Sequence, residues 1–244
     1  MADYVSILGI KINKVNMGQA INEVENIIKA DKKMSIVTPN SEMIVLAQQD
    51  RELARIINTA DLKIPDGAGV VLASRLYRNP VTERVAGYDL MQKMLMMAAE
   101  KNNSVYLLGG EEKVIELAVK KIKDIYPTIN ICGYHHGFLD ETTSEKVLNN
   151  INKLNPNILF IGMGVPLQEK FLNDIYHNIN VNIAMTVGGS FDVLAEKVKR
   201  APRWMQKMHL EWFYRLIQEP WRLGRMMALP KFAWMVIKDN IKDR

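Results

Sequence analysis

"SVYLLGGEEKVIELAVKKIKDIYPTINICGY" (residues 104–134) decides the fold. Its first six residues are β-branched or apolar and read as a strand over 104–109, and "NICGY" at 130–134 reads as a second. The intervening "EEKVIELAVKKIKDIY" (111–126) has helical periodicity, and Gly109–Gly110 mark the turn between strand and helix. The same alternation runs outward from this unit. Further strands are expected over 4–10, 34–38, 61–65, 157–163 and 182–188, with helices over 18–30, 87–101 and 142–154. Thr142 or Thr143 suits the cap of the last helix, with Glu145 and Lys146 in its first turn. Such alternation predicts an α/β, Rossmann-like layered fold with a largely parallel sheet. It stops near Lys197. The rest is helix-prone and interrupted by Pro202, Pro220 and Pro230, which predicts two or three short helices. The expected division is therefore an α/β catalytic body over 1–196 and a helical appendage over 197–244.

The 244 residues carry a net charge of +5, but unevenly. Residues 197–244 hold 12 Lys/Arg against four Asp/Glu, and all four tryptophans (Trp204, Trp212, Trp221 and Trp234). The preceding 196 residues are net −3. A weakly acidic body with a basic, aromatic tail points to an anionic partner. The single cysteine, Cys132, excludes an internal disulfide and a multi-cysteine metal site and suggests a reducing cytoplasm. The N-terminal segment lacks the pattern of a signal peptide, and no apolar run reaches the roughly 18 residues of a membrane span.

Parallel sheets bind ligands beyond the carboxyl ends of their strands. Polar or glycine-rich clusters stand at five such ends: Thr38 and Asn40, Asp66 and Gly67, Gly109 and Gly110, "GMGVPLQEKF" (162–171) with Gln168, and Gly188–Gly189 followed by Asp192. Together they suit a nucleotide-like ligand, although neither a dinucleotide fingerprint nor a P-loop occurs. Taken alone, Asp66 reads equally as a turn aspartate, Gln168 as a surface helix residue and Asp192 as a helix cap or ribose contact. His135 and His136 lack a third metal ligand at suitable spacing, and no Asp-x-Asp pair is present.

"TPN" (38–40), "IPDGAGVV" (64–71), "RVAGYDL" (84–90), "LLGG" (107–110), "GVPLQEKF" (164–171), "VGGSFDVLA" (187–195), "KRAPRWMQ" (199–206) and "LEWFYRLIQEPWRLGR" (210–225) follow one another in that order. Over nearly its whole length the chain thereby resembles the WecG/TagA/CpsF family of bacterial glycosyltransferases, in particular its teichoic-acid branch. Glu196 and His209 stand where the family usually has glycine. The resemblance implies transfer of N-acetylmannosamine from UDP-N-acetylmannosamine to the 4-hydroxyl of GlcNAc on an undecaprenyl diphosphate carrier. It further implies inversion at the anomeric carbon and neither a metal nor another cofactor. UDP-N-acetylmannosaminuronic acid is the alternative donor. On this resemblance Asp66 is the general base, with Thr38, Asn40 and Gln168 orienting hydroxyls. Arg84, Arg215, Arg222 and Arg225 offset diphosphate charge, supplemented by the glycine-loop amides.

Four readings of the tail stay open on sequence alone. Trp204, Met208, Trp212 and Leu216 form an i, i+4 row that suits a helix packed on the body. Trp, Leu, Met and Phe interleaved with Lys and Arg suit an interfacial element on an anionic bilayer, which a lipid-linked acceptor at the cytoplasmic face would require. A homo-oligomer interface is the third. Nucleic acid is the fourth, disfavoured by the acidic body.

Overall fold

The computed structural model describes residues 3–208 and 210–242, with the side chains of Lys207, Arg222 and Lys242 outside the description; His209 therefore also lies outside it. The described strands are β1 (Tyr4–Ile7), β2 (Ile10–Asn13), β3 (Met34–Val37), β4 (Leu62–Lys63), β5 (Ser104–Gly109), β6 (Asn130–His135), β7 (Ile158–Gly162) and β8 (Ile183–Thr186). The last six form one sheet in the order β4-β3-β8-β7-β5-β6, and each pairing is parallel. The expected α/β fold is thus formed.

Register explains why these strands read as unbroken apolar runs. Leu107 opposes Phe160, Phe160 opposes Met185, and Met185 opposes Ile36, a row crossing four strands. This row packs under the helices Met17–Lys29, Gly87–Lys101 and Glu112–Ile125. The alternate residues Leu108, Leu159, Ile161 and Ala184 face the helices Glu141–Leu154 and Leu167–Ile175 on the other side. With both faces covered, successive side chains are buried whichever way they point.

Three local expectations need correction. Residues 4–10 are not one sheet strand but β1, a turn and the start of the antiparallel partner β2. Leu8 and Gly9 both have positive φ (49° and 78°), the conformation of a tight two-residue hairpin turn. The helix expected at 142–154 begins at Glu141, because Asp140 and not a threonine caps it, accepting from the Thr143 N–H at 2.7 Å. Its first turn therefore precedes Glu145 and Lys146. The tail contains more than short helices: after Arg203–Lys207, Glu211–Gln218, a 3-10 turn at Pro220–Arg222 and Leu223–Met226 comes the 15-residue helix Ala228–Lys242. Pro202 caps one helix, Pro220 opens the 3-10 turn, and Pro230 lies in the first turn of the long helix. An absent N–H costs nothing there, so these prolines start helices instead of breaking them. Trp204 lies in the helix Arg203–Lys207 and Trp212 in Glu211–Gln218, so the i, i+4 row does not form a continuous face.

Glu196 adopts φ +57°, the left-handed region that glycine enters freely. Phe232 and Val236 from the last helix are buried with Met43, Ile44 and Val70 from the helices Ser41–Ala47 and Ala68–Leu76. Phe232→Ala should therefore destabilise the whole protein by about 3 kcal/mol. At roughly 2–4 °C per kcal/mol, that is a clear drop in Tm by calorimetry; an unchanged Tm would mean the helix adds nothing to the core.

Candidate active site

β3 is followed in the chain by β4 on its outer side, while the later strands lie on its other side, so strand order reverses at β3. The carboxyl ends of β3, β4, β7 and β8 open there onto a cleft of about 800 Å³. Thr38 and Asn40 enter it after β3, Asp66 and Gly67 after β4, Gln168 after β7, and Gly188 and Gly189 after β8. Arg84 and the tail residues Arg215 and Arg225 complete the wall. The Asn40 side chain caps the helix Ser41–Ala47 by accepting from the Met43 N–H at 3.0 Å, leaving its amide N–H groups available. Gly67 heads the helix Ala68–Leu76 with φ +88°, a conformation that turns the chain sharply beside the Asp66 carboxyl.

The charges form a chain across the cleft. Arg84 Nη2 lies 3.7 Å from Asp66 Oδ1, and Arg84 Nη1 bonds Glu211 Oε2 of the tail at 2.5 Å. Glu211 is also reached by Arg200 Nε at 3.4 Å. Arg200 grips Asp89 with two bonds of 2.6 and 2.8 Å and stacks 4.8 Å over the Tyr88 ring. Arg215 pairs with Glu219 at 2.8 Å and lies against Gly189; Arg225 pairs with Glu42 at 2.6 Å. Only 23% of the Asp66 side chain remains accessible. Burial raises its carboxyl above the ordinary value; the Arg84 cation pulls it back down, while Glu211 pushes it up. Arg84 loses solvation too, but the Asp66 and Glu211 carboxylates more than restore its charge.

Some expected residues fall elsewhere. Gly109 and Gly110 end β5, beyond β7 from the cleft, and are not among its lining residues. A Cβ at Gly109 would lie 2.3 Å from the Gly162 carbonyl, so close packing of β5 on β7 accounts for glycine there. Asp192 lies in the short helix Ser190–Leu194, behind the lining; burial raises its carboxyl against the pull of Lys197 and Arg215. Arg222 has its backbone in the 3-10 turn, and its side chain lies outside the described residues. Arg200 and Glu211 belong to the charge chain but were not singled out from sequence. Their signal was present in "KRAPRWMQ" and "LEWFYRL", but nothing in residue spacing says that these segments fold back over β4. Elsewhere in the tail, Trp204, Phe213, Ile217, Trp221 and Trp234 are exposed, Trp221 by 76%. Among the described residues, no helix is long and apolar enough to cross a membrane.

Fold and cleft are together those of an α/β enzyme that receives its ligand at the carboxyl edge of a parallel sheet. The model of the glycosyl transferase WecG/TagA/CpsF family matches residues 5–244. An N-acetylglucosaminyldiphosphoundecaprenol N-acetyl-β-D-mannosaminyltransferase of Bacillus subtilis (strain 168) is 40% identical over 212 residues, 86% of this chain and 82% of its own. The proteins of the same name from Bacillus spizizenii and Staphylococcus aureus (strain MW2) are 36% and 32% identical. These alignments cover 85% and 98% of this chain, and 80% and 94% of theirs. The chain belongs to the WecG/TagA/CpsF glycosyltransferase family.

The charge chain predicts how Asp66 titrates. Followed by carbon NMR of its carboxyl, the midpoint should lie above the ordinary ~3.9. Arg84→Gln, which removes the opposing cation, should move it higher, and Glu211→Gln, which removes a like charge, should move it lower. Identical midpoints in all three proteins would mean that these groups do not interact.

Proposed function

We propose that this chain is an inverting, metal-independent transferase that moves N-acetylmannosamine from UDP-N-acetylmannosamine to the 4-hydroxyl of GlcNAc on undecaprenyl diphosphate. The family and the names of the three relatives support the reaction class and the acceptor. The observation that carries the catalytic reading is a carboxylate, Asp66, half-buried in the cleft with Arg84 at 3.7 Å.

In this reading the acceptor oxygen attacks the anomeric carbon on the face opposite UDP. Its proton passes to Asp66 as the new carbon–oxygen bond forms, and the bond from the anomeric carbon to the β-phosphate oxygen breaks. The raised Asp66 carboxyl is a stronger base than an ordinary aspartate: burial lifts it and Arg84 opposes the rise. UDP departs with one further negative charge. Among the described residues no three His, Cys, Asp or Glu side chains are grouped as metal ligands, whereas Arg84, Arg215 and Arg225 line the cleft. Guanidinium groups match phosphate oxygens in pairs, and they are the groups assigned here to offset that charge. Thr38, Asn40 and Gln168 orient sugar hydroxyls or the acetamido group.

Residues 197–244 act as an appendage with two jobs. Arg215 and Arg225 face the cleft, while the exposed Trp204, Trp221 and Trp234 suit contact with the headgroup region of an anionic bilayer, at the inner face where the lipid-linked acceptor is held.

Three measurements test this. Asp66→Asn should bind UDP normally yet lose at least about 100-fold in transfer, within the range for a general base; near-normal turnover would remove Asp66 from that role. A panel of UDP-sugars assayed with a GlcNAc-diphospholipid should show preference for N-acetylmannosamine, and preference for the uronic acid would reassign the donor. Flotation with anionic vesicles should retain the full chain but not a Trp204→Ala, Trp221→Ala, Trp234→Ala variant. Equal retention would reject these side chains as the anchor.

A further inference from the structure

The most deeply buried acid among the described residues is one that the catalytic reading does not use. Glu169 is 1% exposed, in the first turn of the helix Leu167–Ile175, beside Gln168, which is equally buried and lines the cleft. Gln168 Nε2 donates to Glu169 Oε1 at 2.6 Å, and Gln168 Oε1 accepts from the Gly188 N–H at 2.9 Å. The other carboxyl oxygen, Glu169 Oε2, is buried without a hydrogen-bond partner, and so is the hydroxyl of Thr186 at the end of β8. Thr186 is nevertheless near enough to act on the Glu169 carboxyl.

One hydrogen bond between Glu169 and Thr186 would satisfy both oxygens, given by the hydroxyl to a carboxylate or by a carboxylic acid to the hydroxyl. A carboxylic acid donates from Oε2 to the Thr186 hydroxyl and still accepts from Gln168 on Oε1. A carboxylate would instead be a buried charge, and no cation is near enough to compensate it. The helix Arg51–Thr59 and its cap pack against this helix, but their charges engage its outer side. Asp50 and Glu52 hold Lys170 at 2.8 and 2.9 Å, and Arg55 bonds Asn173. On the sheet side, the side chains that act on the carboxyl are Gln168, through its hydrogen bond, and Thr186, and neither is charged.

We propose that Glu169 is a positioning residue, held as a neutral acid between Thr186 and Gln168, whose Oε1 sets the Gln168 amide so that its oxygen takes the Gly188 N–H and its second amide hydrogen faces substrate. Burial pushes the carboxyl up to about 7, in keeping with an acid form held to near neutral pH. Without Glu169, only the Gly188 N–H would hold the Gln168 amide in this orientation, and its Nε2 would lose its buried acceptor. The kinetic consequence rests on the transferase reading; the protonation state does not.

The test uses Glu169→Gln and Glu169→Ala in the full chain. Gln has the shape of the acid and can donate to Thr186 while accepting from Gln168, so its kcat should stay within about twofold of wild type. Ala should lower kcat tenfold or more while UDP binding, measured by calorimetry, changes less than threefold. The second readout is Tm against pH. A carboxyl whose folded value lies above its unfolded one costs stability progressively as pH rises from about 4.5 to about 7, and no further above that. The Tm of Glu169→Gln minus that of wild type should grow across this window and then level off. Overturning results are wild-type kcat in Glu169→Ala, a Glu169→Gln as slow as the alanine variant, or a Tm difference flat with pH. Should the alanine variant not fold, the Tm comparison alone decides. If wild-type protein transfers no sugar, the transferase reading fails while the Tm comparison still judges Glu169.

Discussion

A parallel sheet must be covered on both faces, and each connection between its strands must cross back over the sheet. That constraint governs most of what this chain does. It requires the long apolar helices on either side, and it brings the carboxyl ends of β3, β4, β7 and β8 to one edge. Residues as distant in sequence as Thr38 and Gly189 therefore share a cleft of about 800 Å³. The reversal of strand order at β3 leaves room there that no crossover helix fills.

The tail closes this edge electrostatically. Arg84 sits between Asp66 of the body and Glu211 of the tail, and Arg200 reaches from the tail to Asp89. Each tail arginine whose side chain is described at the cleft already has a carboxylate partner: Arg200 with Asp89 and Glu211, Arg215 with Glu219, Arg225 with Glu42. An incoming diphosphate therefore meets guanidinium groups that are already oriented, and competes with carboxylates for them. Trp212 of the same segment also lines the cleft, whereas Trp204, Trp221 and Trp234 are exposed and lie outside its lining.

Much of this was legible in the residues. Strand and helix positions in the body followed from periodicity, because a buried strand and an amphipathic helix leave different repeats. That Thr38, Asn40, Asp66 and Gln168 line one cleft was legible because they follow strands of a parallel sheet. Gly109 and Gly110 share that sequence signature but stand at the end of a strand lying past β7, where the small size of Gly109 serves packing on Gly162. Strand order cannot be read from a list of strands, so sequence alone could not separate the two uses of glycine. The hairpin at Leu8–Gly9 was missed because leucine is rare at positive φ and gives no turn signal.

The sequence by itself determined the α/β class, the end of the alternation near Lys197 and the basic, tryptophan-rich character of the segment beyond it. Those properties depend on neighbours within a few residues of one another, where propensity and periodicity act. Only the tertiary structure decided that Glu211 would neutralise Arg84, that Phe232 would be buried beside Met43, and that Glu169 would come near Thr186. These pairings join residues between 17 and 189 positions apart. Their energies come from burial and charge in the assembled fold, and no local pattern in the chain encodes them.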